Sequence, residues 1–103
     1  MSITKVDFET AKKLIDENKD LLILDVRDED EYITGHAIGA ILFTLSEIDE
    51  SIAKETIPSY DTPLIVYCRS GKRSAQAADK LSALGYTRIY DVGGLIGWPY
   101  GVE

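Results

Sequence analysis

With 103 residues, 45% of them hydrophobic, and no Pro/Gly/Ser-rich stretch to divide it, the chain reads as one compact domain over residues 1–103 with one core. A net charge of −7 excludes non-specific binding to nucleic acid and to anionic membranes, both of which need basic surface. A single cysteine and a single histidine exclude an internal disulfide and a multi-thiolate zinc site, so thiol chemistry here runs on a reduced Cys68.

The first residues, Met1 to Asp7, lack the apolar run of a signal peptide, and no stretch reaches transmembrane length, so a cytoplasmic location is expected. Ile3 to Lys5 reads as a short strand. Asp7 then caps a predicted helix through about Asn18, with Phe8, Ala11, Leu14 and Ile15 on its apolar face. The run Leu21-Leu22-Ile23-Leu24 has the pattern of a strand buried on both faces, ended by Asp25. Asp28 is placed to cap a short helix through about Ile33, closed near Gly35, and Ala40 to Leu42 reads as a third strand. A helix is expected over Ser46 to Ala53. Pro58 to Pro63 is turn chemistry leading into a strand, Leu64 to Tyr67.

Beyond Cys68, a helix is predicted from Ser74 to Leu84 with Ala77, Ala78, Leu81 and Leu84 inward and Gly85 as its C-terminal cap. A last strand, Arg88 to Val92, runs into Gly93-Gly94 and a short helical turn around Leu95 to Trp98. Strands that read as apolar runs and alternate with helices imply a three-layer α/β fold, with a mainly parallel five-stranded sheet and helices on both faces. Ligand sites in such sheets lie beyond the carboxyl ends of the strands, where Cys68 falls.

The sequence Cys68-Arg69-Ser70-Gly71-Lys72-Arg73 joins a strand end to a helix start. There a sulfur anion accepts hydrogen bonds from unpaired backbone N–H groups and feels the positive end of the helix dipole. Arg69, Lys72 and Arg73 add fixed positive charge, and such surroundings favour the nucleophilic thiolate. A lone cysteine is more often a small buried apolar residue. Five polar or glycine residues in succession downstream argue against that here, and a basic cluster at a helix N-terminus is locally unfavourable, which points to function.

Three segments carry a family resemblance over nearly the whole chain. Asp25-Val26-Arg27, Glu31-Tyr32 and Gly35-His36-Ala37-Ile38-Gly39-Ala40 together resemble the first signature of the rhodanese family; Cys68 to Ser74 resembles its active-site loop, and Gly93-Gly94 with Trp98 its closing signature. The resemblance implies a single-domain sulfurtransferase in which Cys68 takes the outer sulfur of a donor such as thiosulfate as a persulfide and passes it to cyanide or a thiol. It implies no metal and no organic cofactor. Its partners would be a small anionic donor, a thiol or cyanide acceptor, and, where sulfur is relayed, a protein. Carried onto this chain, the loop residues Arg69, Ser70, Gly71, Lys72 and Arg73 bind substrate, and Arg27 faces it.

The remaining residues of these segments have structural readings. His36 is expected to be packed and hydrogen-bonded, Asp25 to anchor backbone N–H groups or pair with an arginine, and Glu31 to pair with Arg27 one helical turn away. Gly93, Gly94 and Trp98 shape the backbone and the core, and Tyr60, Tyr67 and Tyr90 pack. Phosphatases and arsenate reductases of related fold are the competing enzyme reading. They place an arginine six positions after the cysteine, where this chain has Ser74, and commonly a histidine before it, where this chain has Tyr67. A persulfide carrier or regulatory module with little turnover of its own is the other alternative.

Overall fold

The computed structural model describes residues 2–103. Five strands, β1 (Ile3–Lys5), β2 (Leu22–Asp25), β3 (Ile41–Leu42), β4 (Leu64–Cys68) and β5 (Ile89–Gly94), form one sheet in the order β1-β5-β4-β2-β3. Every strand pair is parallel, so the sheet is more uniform than the mainly parallel one expected. Four helices, α1 (Phe8–Glu17), α2 (Glu29–Thr34), α3 (Glu50–Thr56) and α4 (Lys72–Ala83), make the crossovers.

β4 is the middle strand, and all five of its residues are buried, which is why its sequence is a continuous apolar run. One face of the sheet packs Leu24, Leu64, Val66 and Ile89 against Ala77, Ala78 and Leu81 of α4 and Ala53 of α3. The other packs Ile23, Ile65 and Tyr67 against Ala11 of α1, with Leu95 and Trp98 alongside. Each large side chain so buried contributes about 1.5–3 kcal/mol relative to exposure. The three layers follow from these two faces.

Local signals set most boundaries. The Asp7 carboxylate accepts the Thr10 N–H at 2.8 Å, capping α1, and hydrogen bonding by Thr10, its side chain first and then its backbone N–H, holds the carboxyl below its usual range. Gly85, at φ +108°, closes α4 in a Schellman arrangement: the Tyr86 N–H donates to the Leu81 carbonyl and the Gly85 N–H to that of Ser82.

Three expectations are corrected. The helix over Ser46 to Ala53 is two pieces, a 3-10 turn at Leu45–Glu47 and then α3, because the Asp49 carboxylate takes the Ile52 N–H at 2.8 Å and starts a new helix. The segment after Gly94 is a turn, not a helix; the Trp98 N–H donates to the Leu95 carbonyl at 2.9 Å, and Gly97 sits at φ +91°. β5 runs on past Val92 because of a bulge. Val66 pairs with Asp91, Tyr67 with Gly93 and Cys68 with Gly94, so Val92 is the extra residue.

β2 connects to β3 on one side and β4 connects to β5 on the other. The carboxyl ends of these adjacent strands therefore form the switch point of the sheet, where crevices open in folds of this kind. Arg27 follows one end and Cys68 closes the other.

Candidate active site

Cys68 is the last residue of β4, fully buried, and the one free thiol. The chain turns back immediately after it. Gly71 adopts φ +103°, which lets α4 begin at Lys72, two residues before the expected Ser74, and aims the Gly71 N–H at Cys68 Sγ, 2.9 Å away. Among the described residues the N–H groups of Lys72 and Arg73, in the first turn of α4, donate to no protein acceptor. The buried Ser74 hydroxyl donates to the Gly71 carbonyl at 3.0 Å and locks the turn from inside. The sulfur thus lies at the positive end of a twelve-residue helix with one N–H already on it.

The β5 bulge presses glycine backbone against this loop. A Cβ on Gly94 would lie 2.5 Å from the Arg69 carbonyl oxygen and 3.0 Å from Ser70 Cα, a separation that no side chain permits. Asp91, buried, accepts the Gly93 N–H at 2.9 Å and holds the bulge. The Leu95 N–H reaches the Cys68 carbonyl at 3.0 Å. Gly93 and Gly94 are therefore the wall behind the loop, in keeping with the backbone role expected for them.

A cavity of about 330 Å³ opens beside the loop, lined by Arg27, Glu31, Thr34, Arg69, Leu95 and Ile96. Arg69 is exposed at its mouth; Ser70 and Gly71 line a second hollow behind the loop, with Lys5, Gly93 and Gly94. Thr34, Leu95 and Ile96 are lining residues that sequence reasoning missed, since nothing in their local pattern marks them.

Arg27 is half in the wall. Its Nε lies 2.9 Å from Oδ1 and 3.1 Å from Oδ2 of Asp25, and its NH2 group donates to Oδ2 at 2.7 Å and to the Gly35 carbonyl at 2.6 Å. Asp25, wholly buried, also takes the Arg27 backbone N–H and the Tyr67 hydroxyl. The hydrogen bonds it donates to Asp25 raise the Arg27 guanidinium above its ordinary value, keeping it a fixed cation.

Arg73 is turned elsewhere. Its NH1 and NH2 groups donate to Glu31 Oε1 and Oε2 at 2.6 and 3.0 Å, a bidentate fork between α4 and α2. This corrects the expected Arg27–Glu31 pair. The buried Asp25 claims Arg27 two residues away, leaving Glu31 to the arginine across the fold. Arg73 pulls the Glu31 carboxyl down to about 2, and Glu31 in turn raises Arg73. The loop therefore brings Arg69 to the cavity, while the Arg73 guanidinium is engaged. Lys72 is exposed at the helix start.

His36 is structural, as expected. Its ring stacks on Tyr32 at 3.7 Å, and Nδ1 lies 2.9 Å from the Tyr32 carbonyl, to which it donates. The carboxylates of Asp28, Asp30 and Glu31 lie within 4.8 Å of one another at the start of α2. With Glu31 held by Arg73 and by the Asp28 N–H at 3.2 Å, they complement the N-terminus of α2 and offer no open cation site.

The rhodanese-like domain family matches residues 7–99. The thiosulfate sulfurtransferase PspE of Escherichia coli is 40% identical over 72 residues, spanning 70% of this chain and 68% of that protein. A sulfurtransferase of Allochromatium vinosum is 32% identical over 97 residues, 93% of this chain and 88% of its own. Among solved structures, an E. coli rhodanese with anions superposes with TM-score 0.73 at 35% identity, over 81% of this chain and 96% of that one. The rhodanese-like domain of an Anabaena protein reaches TM-score 0.84 at 23% identity over 96% of this chain and 77% of that one, a likeness of fold.

Proposed function

The chain belongs to the rhodanese-like domain family, and from that premise we propose that it is a sulfurtransferase of the thiosulfate type working through a persulfide on Cys68. The observation that carries the reading is the Gly71 N–H on Cys68 Sγ at the N-terminus of α4. In the first half-reaction the Cys68 thiolate attacks the outer sulfur of an anionic donor such as thiosulfate. A new S–S bond forms, the donor S–S bond breaks, and sulfite leaves with its electron pair. In the second, cyanide or a thiolate attacks the outer sulfur of the persulfide, leaving as thiocyanate or a new persulfide and returning Cys68 as thiolate.

Each group near the sulfur has a part in this. The persulfide moves the negative charge one atom outward, toward the unpaired N–H groups of Lys72 and Arg73, so the loop stabilises the intermediate as an anion hole does. Arg69 and Arg27, two cations on the cavity of an acidic protein, draw the donor in and offset its charge as it approaches a thiolate. Ser70 and Gly71 supply backbone close to the sulfur. Neither half-reaction as written requires a general base, because no proton is transferred at the reacting sulfur.

The competing phosphatase or arsenate reductase reading needs a guanidinium free to grip a tetrahedral oxyanion. The Glu31 fork on Arg73 weighs against it. The test is intact mass after incubation with thiosulfate: one added sulfur, removed by cyanide or a thiol, is expected on the parent and none on Cys68→Ser. Thiocyanate formation by Cys68→Ser at the parental rate overturns the proposal.

A further inference from the structure

Tyr67 precedes Cys68 in β4 and pairs in register with Asp25 of β2. It is 1% exposed, yet its hydroxyl is fully used: it donates to Asp25 Oδ2 at 2.6 Å and accepts the Ala37 N–H at 3.1 Å. Oδ2 is the same oxygen that takes the Arg27 NH2 group at 2.7 Å. The Arg27 guanidinium also lies 5.7 Å from the Tyr67 ring centroid. With Nε and NH2 engaged by Asp25 and Gly35, NH1 is the nitrogen of Arg27 with no protein acceptor among the described residues, on a side chain that lines the cavity beside Cys68.

We propose that Tyr67 is a positioning residue for donor binding: by tethering Asp25 to the Ala37 backbone it fixes the plane of the Arg27 guanidinium, so that NH1 faces the incoming anion. This rests on the reading of Arg27 as a donor-facing group. A carboxylate inside an apolar sheet has no preferred rotamer of its own strong enough to aim a fork. Oδ1 is set by the Arg27 backbone N–H at 3.0 Å, and Oδ2 is set by the phenol. Burial first, and then the bond to Asp25, push the phenol well above its ordinary value, so it remains a donor throughout the neutral range. Removing the hydroxyl leaves the ring in the core but lets the carboxylate, and with it the guanidinium, turn.

The test uses Tyr67→Phe and two readouts. For thiosulfate, KM is expected to rise about five- to tenfold, the loss of roughly one charge-assisted hydrogen bond, with kcat within about twofold of the parent. The rate of Cys68 alkylation by iodoacetate divided by that by iodoacetamide is expected to fall by a similar factor. A purely structural defect moves both reagents together and leaves this ratio alone. Arg27→Gln should lower the ratio by itself, and adding Tyr67→Phe should lower it no further. Should Tyr67→Phe not fold, Tyr67→Met, which also removes the hydroxyl and leaves the Asp25–Arg27 pair in place, is expected to give the same fall. An unchanged KM and ratio in the folded variant, additive effects with Arg27→Gln, or a parent Cys68 inert to both reagents each overturns the proposal. If the parent forms no persulfide while the ratio still falls in Tyr67→Phe, sulfur transfer is the reading that fails and the positioning role stands.

Discussion

Glu31 and Arg73, 42 residues apart in the chain, meet in a bidentate fork at 2.6 and 3.0 Å that joins α2 to α4, with Glu31 also lining the cavity beside the Cys68 loop. The pair has two consequences: it ties the helix that carries the loop to the rest of the carboxyl-end surface, and it removes one guanidinium from the set that a ligand can reach.

The first consequence is visible in acid. The Glu31 carboxyl lies at about 2 in the folded protein against 4.5 for the free group, with the bond to Arg73 as the main cause. A depressed folded value means that the contribution to stability is complete above about 4.5 and is lost as pH falls toward about 2. Glu31→Gln should therefore lower the urea midpoint at pH 7 by an amount corresponding to about 1 kcal/mol, modest because both side chains keep some solvent contact. The gap between parent and variant should narrow below about pH 4.5 and be mostly gone near pH 2. A gap that persists unchanged at pH 2 shows that the fork is not its source.

The mouth cations predict a salt effect. In water of about 0.01 M ionic strength the screening length is about 30 Å, and at about 0.15 M it is about 8 Å. Because Arg27 and Arg69 stand at the cavity of a protein whose net charge is −7, kcat/KM for thiosulfate should drop as inert salt is added. Arg69→Ala should lower kcat/KM roughly tenfold at low salt and flatten this dependence, because an exposed arginine at the entrance acts mainly by attraction. Equal salt slopes for parent and variant contradict the assignment of Arg69.

Gly94 and Gly85 separate loop geometry from stability. Gly94→Ala puts a carbon 2.5 Å from the Arg69 carbonyl, so the loop must move off the bulge. Sulfur transfer should fall by roughly 10²-fold, the cost of losing one aimed N–H donor, with a loss of about 1–3 kcal/mol in stability. Gly85→Ala, at the far end of α4 with φ +108°, should cost about 1 kcal/mol and leave activity near parental. If both variants lose activity in proportion to their stability, the Gly94 contact has no special bearing on the loop.

These residues also mark what the sequence disclosed. β4 and the cysteine turn were legible because a strand buried on both faces needs an unbroken apolar run and a helix start needs its own chemistry. The α4 boundary moved because Gly71, in the left-handed region, lets the helix begin as soon as the turn closes. The β5 bulge depends on how Val66 and Tyr67 meet Asp91 and Gly93, a relation between strands that neither strand states alone. Tyr67 read as packing because it ends an apolar run. Its partner, Asp25, sits 42 residues away on a strand whose register only the sheet reveals. Glu31 failed in the same way: the neighbour at helical spacing was visible, and the stronger partner on α4 was not.

The choice of sulfur over phosphorus follows from loop length together with the fork. Five positions separate Cys68 from Arg73, and the Gly71 N–H already touches the sulfur, so a phosphoryl group has little room for in-line attack. A glycine inserted between Gly71 and Lys72 would draw that N–H away and widen the turn, and sulfur transfer should fall roughly 10²-fold. Arg73 would stay where it is, since α4 is held by the burial of Ala77, Ala78 and Leu81, and Glu31 would go on holding it. The insertion alone should therefore give no phosphatase. Weak hydrolysis of aryl phosphates is expected only when Glu31→Gln is added and the guanidinium is released toward an oxyanion in the enlarged cup. Thiocyanate and nitrophenol release from the parent, the insertion, and the insertion with Glu31→Gln give the comparison. Cys68-dependent phosphate ester hydrolysis by the unaltered protein, with no persulfide formed from thiosulfate, would reverse the assignment in favour of a phosphatase.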